Sequence, residues 1–392
     1  MRWREWQKNW LLALCSVLLV LLVAEVVARR LWEPGGYQPV IRADPMLGWA
    51  LAPGHHLHSV DSERRLDFDI QVNSLGMRDP ERPAAKPAGM RRVLFLGDSM
   101  VFGTGVEVGA RCGDVLNARL GPDVEVLNAA CGGWGTDQEL LYLCRDGFAL
   151  HPDVVVLGLC PANDIVNNML PHDLFGSAPK PRFELQDGRL VYEPPPARLP
   201  PNLKWRAKTL LKHSRLLHYI VHQRHVLAWR AQPRSAVTDS MVYWQEDLEH
   251  DESHWSVFRT RYSPRFEAAF QVTEALVTAA RDSCAARGIP FLLFAFPQKV
   301  ETDAAARARE LEHFHFEPDW FDLLAPYARF QRLADRLDCP FVHPLPEFQR
   351  AQVPVFLPRD GHPNAAGHAL AAEKLEPAVL SALDGASERV TR

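Results

Sequence analysis

The sequence predicts an α/β fold, a three-layer α/β/α sandwich whose mainly parallel sheet has five strands, with one N-terminal transmembrane helix and an insertion. Two observations carry this. From residue 91 onward, short apolar runs alternate with segments of helical periodicity, and such alternation builds parallel sheets covered by helices on both faces. Near the N-terminus stands one apolar stretch long enough to cross a bilayer.

That stretch, Trp10–Ala28, has 19 residues, of which only Ser16 and Glu25 are polar. As a helix it reaches about 28 Å, close to the hydrocarbon thickness. Arg2, Arg4 and Lys8 precede it and Arg29 and Arg30 follow, while Trp3, Trp6, Trp10 and Trp32 sit where interfacial aromatics belong. A cleavable signal peptide competes, with Val26-Val27-Ala28 as its cleavage site. A lipoprotein signal fails because Leu14, not a small residue, precedes Cys15. A buried soluble helix would show a polar face. The reading is a cytoplasmic tail over 1–9, a single-pass anchor over 10–28, and the remaining chain outside the cytoplasm, in a bacterial periplasm or at the cell surface.

Residues 29–90, punctuated by Pro and Gly and containing strand-like pieces such as Leu66–Val72, read as a membrane-proximal extension packed on the main domain. His55, His56 and His58 cluster there and read as a solvated loop, with no carboxylate at ligand spacing. The main domain spans 91–385. Its strands are Arg92–Gly97, Val124–Asn128, Asp153–Gly158, Ile289–Ala295 and Pro340–His343. Helical spacing runs through Arg265–Arg287, and the Ala- and Leu-rich Asn364–Leu383 closes the domain before a tail, 386–392. An insertion, 176–262, interrupts the alternation. In it, Phe183–Tyr192 reads as a hairpin turning at Asp187-Gly188, and the proline-rich Pro194–Pro201 follows. Lys204–Arg234 then carries eight Lys/Arg, four His and no acid. It suits an amphipathic basic helix, lying on an anionic membrane or packed on the core as a solvated insertion.

Composition narrows the function. At 47% hydrophobic and 23% charged residues, the 392-residue chain can build a packed core. Its net charge of −4 argues against a nucleic-acid binder that relies on bulk positive charge. No repeat of solenoid or propeller length is visible. The seven cysteines form no zinc-type spacing. Apart from Cys15 they number six, which permits disulfides outside the cytoplasm, and most read as small buried hydrophobes.

Four segments at strand ends carry chemistry. In Leu96-Gly97-Asp98-Ser99-Met100 the serine follows a buried strand directly, so a helix starting there leaves its N–H free to donate. Asn128-Ala-Ala-Cys-Gly-Gly133-Trp-Gly135-Thr-Asp-Gln138 follows the second strand, and a glycine N–H there suits an oxyanion. Pro161-Ala162-Asn163-Asp164 follows the third, with an Asn amide suited to the same role or to a helix cap. Asp360-Gly361-His362-Pro363-Asn364 precedes the last helix and offers a base with a nearby acid. Alone, each segment reads equally well as a turn or a cap. Together they bring nucleophile, oxyanion donors and base to one crevice, the set that acyl transfer requires.

The order of these segments resembles the SGNH (GDSL) hydrolase superfamily, in a membrane-anchored form. The resemblance covers residues 91–175 and 265–385, with fainter likeness in the anchor, in Gly48-Trp49 and in Asn73-Ser-Leu-Gly-Met-Arg-Asp79. It implies a flavodoxin-like sandwich with Ser99 as nucleophile and His362 as base. It further implies an oxyanion hole of the Ser99 N–H, Gly133 and Asn163. Two positions depart from the family pattern. Pro161 stands where the third block has Gly, and Arg359 stands where the last block has its Asp, leaving Asp360, two residues before His362, as the orienting acid. Asp98 reads as a structural hydrogen-bonding residue. These residues suit an esterase or deacetylase acting on an extracytoplasmic ester such as an acylated glycan. They suit equally an O-acyltransferase supplied by a membrane acyl carrier. A non-catalytic assembly protein on the same fold is the third reading. None of the three implies a metal or organic cofactor.

Overall fold

The computed structural model describes residues 2–31, 40–61, 64–172, 178–196, 214–217, 219–220 and 254–390. Trp32, residues 197–201 of the proline-rich run and most of the basic Lys204–Arg234 segment lie outside them. The chain divides into two compact units, one of residues 1–36 and 197–237, the other of 37–196 and 238–392.

The first unit is built on a helix, Arg2–Leu31, longer at both ends than the predicted Trp10–Ala28 because no helix breaker flanks the apolar stretch. Its portion Trp6–Leu31, whose most apolar 18-residue stretch has a mean hydropathy of 2.8, is long and apolar enough to span a membrane or to act as a signal sequence. Side chains such as Leu12, Leu19 and Val20 are exposed rather than packed. Glu25 has partners: its carboxylate accepts from the Ser214 hydroxyl at 2.7 Å and from the N–H groups of Arg215 and Leu216, both at 3.0 Å. This satisfies the orphan donors of a short helical turn.

Among the described residues the second unit holds eleven strands: β1 (Ile41–Asp44), β2 (Gly48–Leu51), β3 (His56–Asp61), β4 (Leu66–Gln71), β5 (Arg91–Gly97), β6 (Val124–Ala130), β7 (Val154–Leu159), β8 (Arg182–Gln186), β9 (Arg189–Glu193), β10 (Phe291–Ala295) and β11 (Phe341–Val342). Five of them form one parallel sheet in the order β6-β5-β7-β10-β11. In chain order that is 2-1-3-4-5, the flavodoxin-like doubly wound arrangement. Helix Cys112–Leu120 packs on Ala365–Val390, while Thr136–Arg145 and Pro161–Met169 pack on Pro264–Ala285, giving the two helical layers. The strand cores, Val154–Leu157 for instance, are wholly buried, as expected of a sheet covered on both faces.

Strands β10 and β11 start later than the apolar runs suggest because proline stands second in one run and first in the other. Pro290 and Pro340 donate no N–H to the ladder, although their carbonyls still accept from Val155 and Leu293 at 3.0 and 2.9 Å. At the other end the register is even. Gly97 lies opposite both Ala130 and Gly158, and Ala295 lies opposite Leu159, so four loops leave the sheet along one edge.

Among the described residues, three antiparallel hairpins stand apart from this sheet. The β8–β9 turn is Asp187-Gly188, with φ of 51° and 74°, the two positive values that a two-residue turn of this hand needs. The β3–β4 hairpin corrects the solvated-loop reading of the histidines. His56 and His58 stand on β3, and carboxylates do face them from β4: the His58 ring nitrogens lie 2.8 Å from Asp69 and 3.1 Å from Asp67. The closing helix, Ala365–Val390, runs through the predicted end at 383 and through the start of the predicted tail. All seven cysteines are free thiols, and Cys112, Cys131, Cys160 and Cys284 are buried.

Candidate active site

The loop after β5 is a tight turn into a four-residue helix, Ser99–Phe102. A side chain at Gly97 would meet Val101 Cγ2 at 2.2 Å, so only glycine lets the helix fold back so closely on its own strand. Asp98 caps the turn, its Oδ1 accepting from the Met100 N–H at 2.8 Å. Ser99 takes the first helical position with 9% exposure.

The Ser99 hydroxyl lies 2.8 Å from His362 Nε2. The other ring nitrogen of His362, Nδ1, bonds Asp360 Oδ1. The same oxygen accepts the His362 backbone N–H at 2.8 Å. This side-chain-to-backbone bond closes the turn across Gly361 and aims both side chains inward. Gly361 has no positive φ, so the backbone freedom that glycine offers is not what spans the two-residue offset. The Asp-x-His segment is held from outside as well. Leu357 donates to the His362 carbonyl at 2.9 Å. Lys299, just after β10, donates to the carbonyls of Leu357 and Pro358 at 3.1 and 2.9 Å. Arg359 is exposed and Asp360 buried.

Arg64, in the turn between β3 and β4, bonds the second oxygen of Asp360 through Nη2. Burial alone would push the Asp360 carboxyl up. Its contacts with His362, and then the Arg64 guanidinium, outweigh burial and hold it well below the usual carboxylate range. Nothing in the run Glu63-Arg64-Arg65 marks this contact in sequence, since charged residues in a hairpin turn read as solvated.

Asn163 is third in helix Pro161–Met169, whose first residue is Pro161. The departure from Gly is harmless there, because proline suits the first helical position. The Asn163 amide donates to Asp98 Oδ2 at 2.6 Å, which leaves the second N–H of that amide for another acceptor. Burial raises the Asp98 carboxyl, opposed by the Asn163 and Met100 donors. Asp98 thus ties the Ser99–Phe102 helix, through Met100, to Asn163.

Gly133 lies in the turn after β6 with φ of 78°. Among the described residues, no acceptor takes its N–H or that of Ser99. The extension closes over this turn: Trp49 Nε1 donates to the Gly132 carbonyl at 3.1 Å, and Trp134 Nε1 donates back to the Trp49 carbonyl at 3.0 Å. It also reaches the far end of the Ser99–Phe102 helix, where buried Arg78 donates to the carbonyls of Phe102, Gly103 and Val106. Among the described residues no group of three or more His, Cys, Asp or Glu is placed to hold a metal ion.

No protein-family model matches the chain, and no curated protein matches it in sequence. Solved structures do resemble it. A GDSL-like lipase from Bacteroides thetaiotaomicron is 12% identical, with 76% of this chain and 89% of that one covered and a TM-score of 0.35. A carbohydrate acetylesterase family member from Sinorhizobium meliloti is 18% identical, with 75% and 100% covered and a TM-score of 0.33. A catalytic mutant of an acetylxylan esterase from Geobacillus stearothermophilus is 14% identical, with 75% and 94% covered and a TM-score of 0.35.

Proposed function

We propose that this chain is a serine esterase or deacetylase of the SGNH type, acting on an extracytoplasmic ester of the acylated-glycan class through an acyl-enzyme on Ser99. The observation that carries the reading is the continuous relay from Asp360 through His362 Nδ1 and Nε2 to the Ser99 hydroxyl. In that mechanism His362 Nε2 takes the hydroxyl proton as Ser99 Oγ bonds the ester carbon. The oxyanion draws on the N–H groups of Ser99 and Gly133 and the amide of Asn163. His362 returns its proton to the leaving alcohol. It then takes a proton from water, whose oxygen attacks the acyl carbon, and hands that proton back to Ser99 as the acid departs. Asp360 holds the imidazole and stabilises its cation.

The test is the full chain in detergent, given 4-nitrophenyl acetate and an acetylated xylo-oligosaccharide. Acetate release with a transient acetyl-serine at Ser99 supports the reading. Acetyl transfer to an added sugar in place of release would assign the same acyl-enzyme to an O-acyltransferase working with a membrane acyl carrier. No turnover and no labelling of Ser99 by a fluorophosphonate would refute both. The anchoring proposal places residues 29–392 outside the cytoplasm. Protease added to intact spheroplasts then digests the C-terminal domain, and a protected domain reverses the orientation.

A further inference from the structure

We propose that Trp49 is a positioning residue for the oxyanion hole: its indole holds the Gly132–Gly133 peptide so that the Gly133 N–H faces Ser99. The inference rests on the esterase reading and adds a residue from the membrane-proximal extension to that site.

Cys131 to Trp134 form a β-turn, with Trp134 N donating to the Cys131 carbonyl at 3.1 Å. Gly133, third in the turn, has φ of 78°, while Gly132 has no positive φ. That is a type II turn, and it differs from type I by a flip of the central peptide, here Gly132–Gly133. Two glycines set almost no steric preference between the two orientations, so the turn does not choose by itself.

The choice comes from outside the loop. The Trp49 indole donates to the Gly132 carbonyl at 3.1 Å. In a trans peptide the carbonyl and the following N–H point in opposite directions, so this bond turns the Gly133 N–H away from Trp49. The loop begins beside the nucleophile strand, with Cys131 N on the Gly97 carbonyl at 3.3 Å. A flip would present a carbonyl oxygen to the developing oxyanion and strand the buried indole N–H. Trp49 is itself fixed: it is 5% exposed, its carbonyl accepts from Trp134, and the carbonyl of Leu47, two residues before it, accepts from Gln138 at 2.7 Å.

The experiment compares the full chain with Trp49→Phe, which keeps an aromatic ring and loses the donor. A second variant carries 3-benzothienylalanine at position 49, which keeps the bicyclic volume without an N–H and serves if the phenylalanine variant folds poorly. Loss of one oxyanion donor costs about 10²–10³ in kcat, and a peptide free to flip is expected to cost about 10–100-fold. KM should stay within about threefold, and affinity for a boronic acid that mimics the tetrahedral adduct should fall in parallel with kcat. Wild-type kcat and wild-type boronate affinity in the benzothienyl variant overturn the inference, as does a loss confined to KM. A wild-type chain that neither turns over esters nor binds the boronate overturns the esterase reading, and the inference with it.

Discussion

Asp360→Asn probes the relay where its spacing is unusual, and the structure says how large the loss should be. Asp360 offers one oxygen to two donors, the His362 backbone N–H and ring Nδ1–H, and the other to Arg64. An asparagine can sit two ways. With its oxygen toward His362 it keeps both of those bonds and the imidazole tautomer, but sets its NH₂ against the Arg64 guanidinium. With its NH₂ toward His362 it opposes the backbone N–H and forces the proton onto Nε2, where it points at Ser99. The first orientation sacrifices one charged hydrogen bond, about 1.5–3 kcal/mol, whereas the second sacrifices the backbone bond and the base itself. The tautomer should therefore survive. What is lost is the anion beside the imidazolium: about 3 kcal/mol at about 5 Å and an effective dielectric near 20. That corresponds to about 200-fold in kcat/KM, short of the ~10⁴-fold that follows tautomer loss in a serine protease triad.

Two readouts accompany the rate. Adding Arg64→Met removes the guanidinium that opposes the asparagine NH₂ and should recover part of the loss, about tenfold. Because the folded carboxyl is depressed, its contribution to stability is present above the unfolded value of about 3.9 and is lost as pH falls below it. The Tm deficit of Asp360→Asn should thus be widest near neutral pH and shrink in acid. Activity within about threefold of wild type would remove Asp360 from the relay and leave Ser99 and His362 as a dyad.

Other changes separate chemistry from scaffold. Ser99→Ala should lower ester turnover by about 10⁴-fold or more while leaving Tm nearly unchanged, and wild-type-like hydrolysis would refute the acyl-enzyme. Glu139 is fully buried, neither of its oxygens has a partner among the described residues, and burial with Asp164, Asp98 and Asp137 nearby raises its carboxyl well above the usual range. Above about pH 4.5 the unfolded chain ionises this group while the folded chain keeps the proton, so stability falls by about 1.4 kcal/mol per pH unit for that proton. Glu139→Gln should remove the slope, and its Tm advantage should grow from pH 5 to pH 8; a constant difference would refute the neutral carboxyl. Arg78→Met should destabilise by about 3 kcal/mol or more, measured by urea unfolding, because several buried carbonyls lose their donors together.

The sheet was legible because each strand is a short apolar run closed by glycine, alanine or a polar residue, and the runs recur in chain order. Three of the four site segments were legible for the same reason, since a residue just past a buried parallel strand stands at the crevice wherever the helices lie; the fourth, Asp360–Asn364, was read from its place before the closing helix. The ends of β10 and β11 were missed because proline lengthens an apolar run without adding to the ladder. The histidine–aspartate ladder on β3 and β4 was missed because His58 and Asp69 become neighbours only once the hairpin register is known. Arg64 and Asp360 lie 296 positions apart, and Trp49 and Gly132 lie 83 apart. No local pattern encodes such contacts, and each is made by a residue type usually explained by solvation or by core packing.

Those contacts share an origin that bears on how the site works. A four-residue helix cannot hold itself together, since helix nucleation fixes several dihedrals for one hydrogen bond. The helix that carries Ser99 is steadied at its far end by Arg78, a buried residue whose guanidinium donates to carbonyls there and lies over the rings of Phe68 and Phe102. A cation at a helix C-terminus complements the helix dipole, and burial draws Arg78 down only to about 9, so it stays charged at neutral pH. Arg78, Arg64 and Trp49 belong to residues 40–79, before the first strand of the sheet. They brace the Ser99 turn, Asp360 and the Gly133 peptide, three points that the sheet alone leaves to short loops. Within this unit the segment therefore acts as the outer wall of the site, and changes to its packing should reach activity before they reach the fold of the sheet.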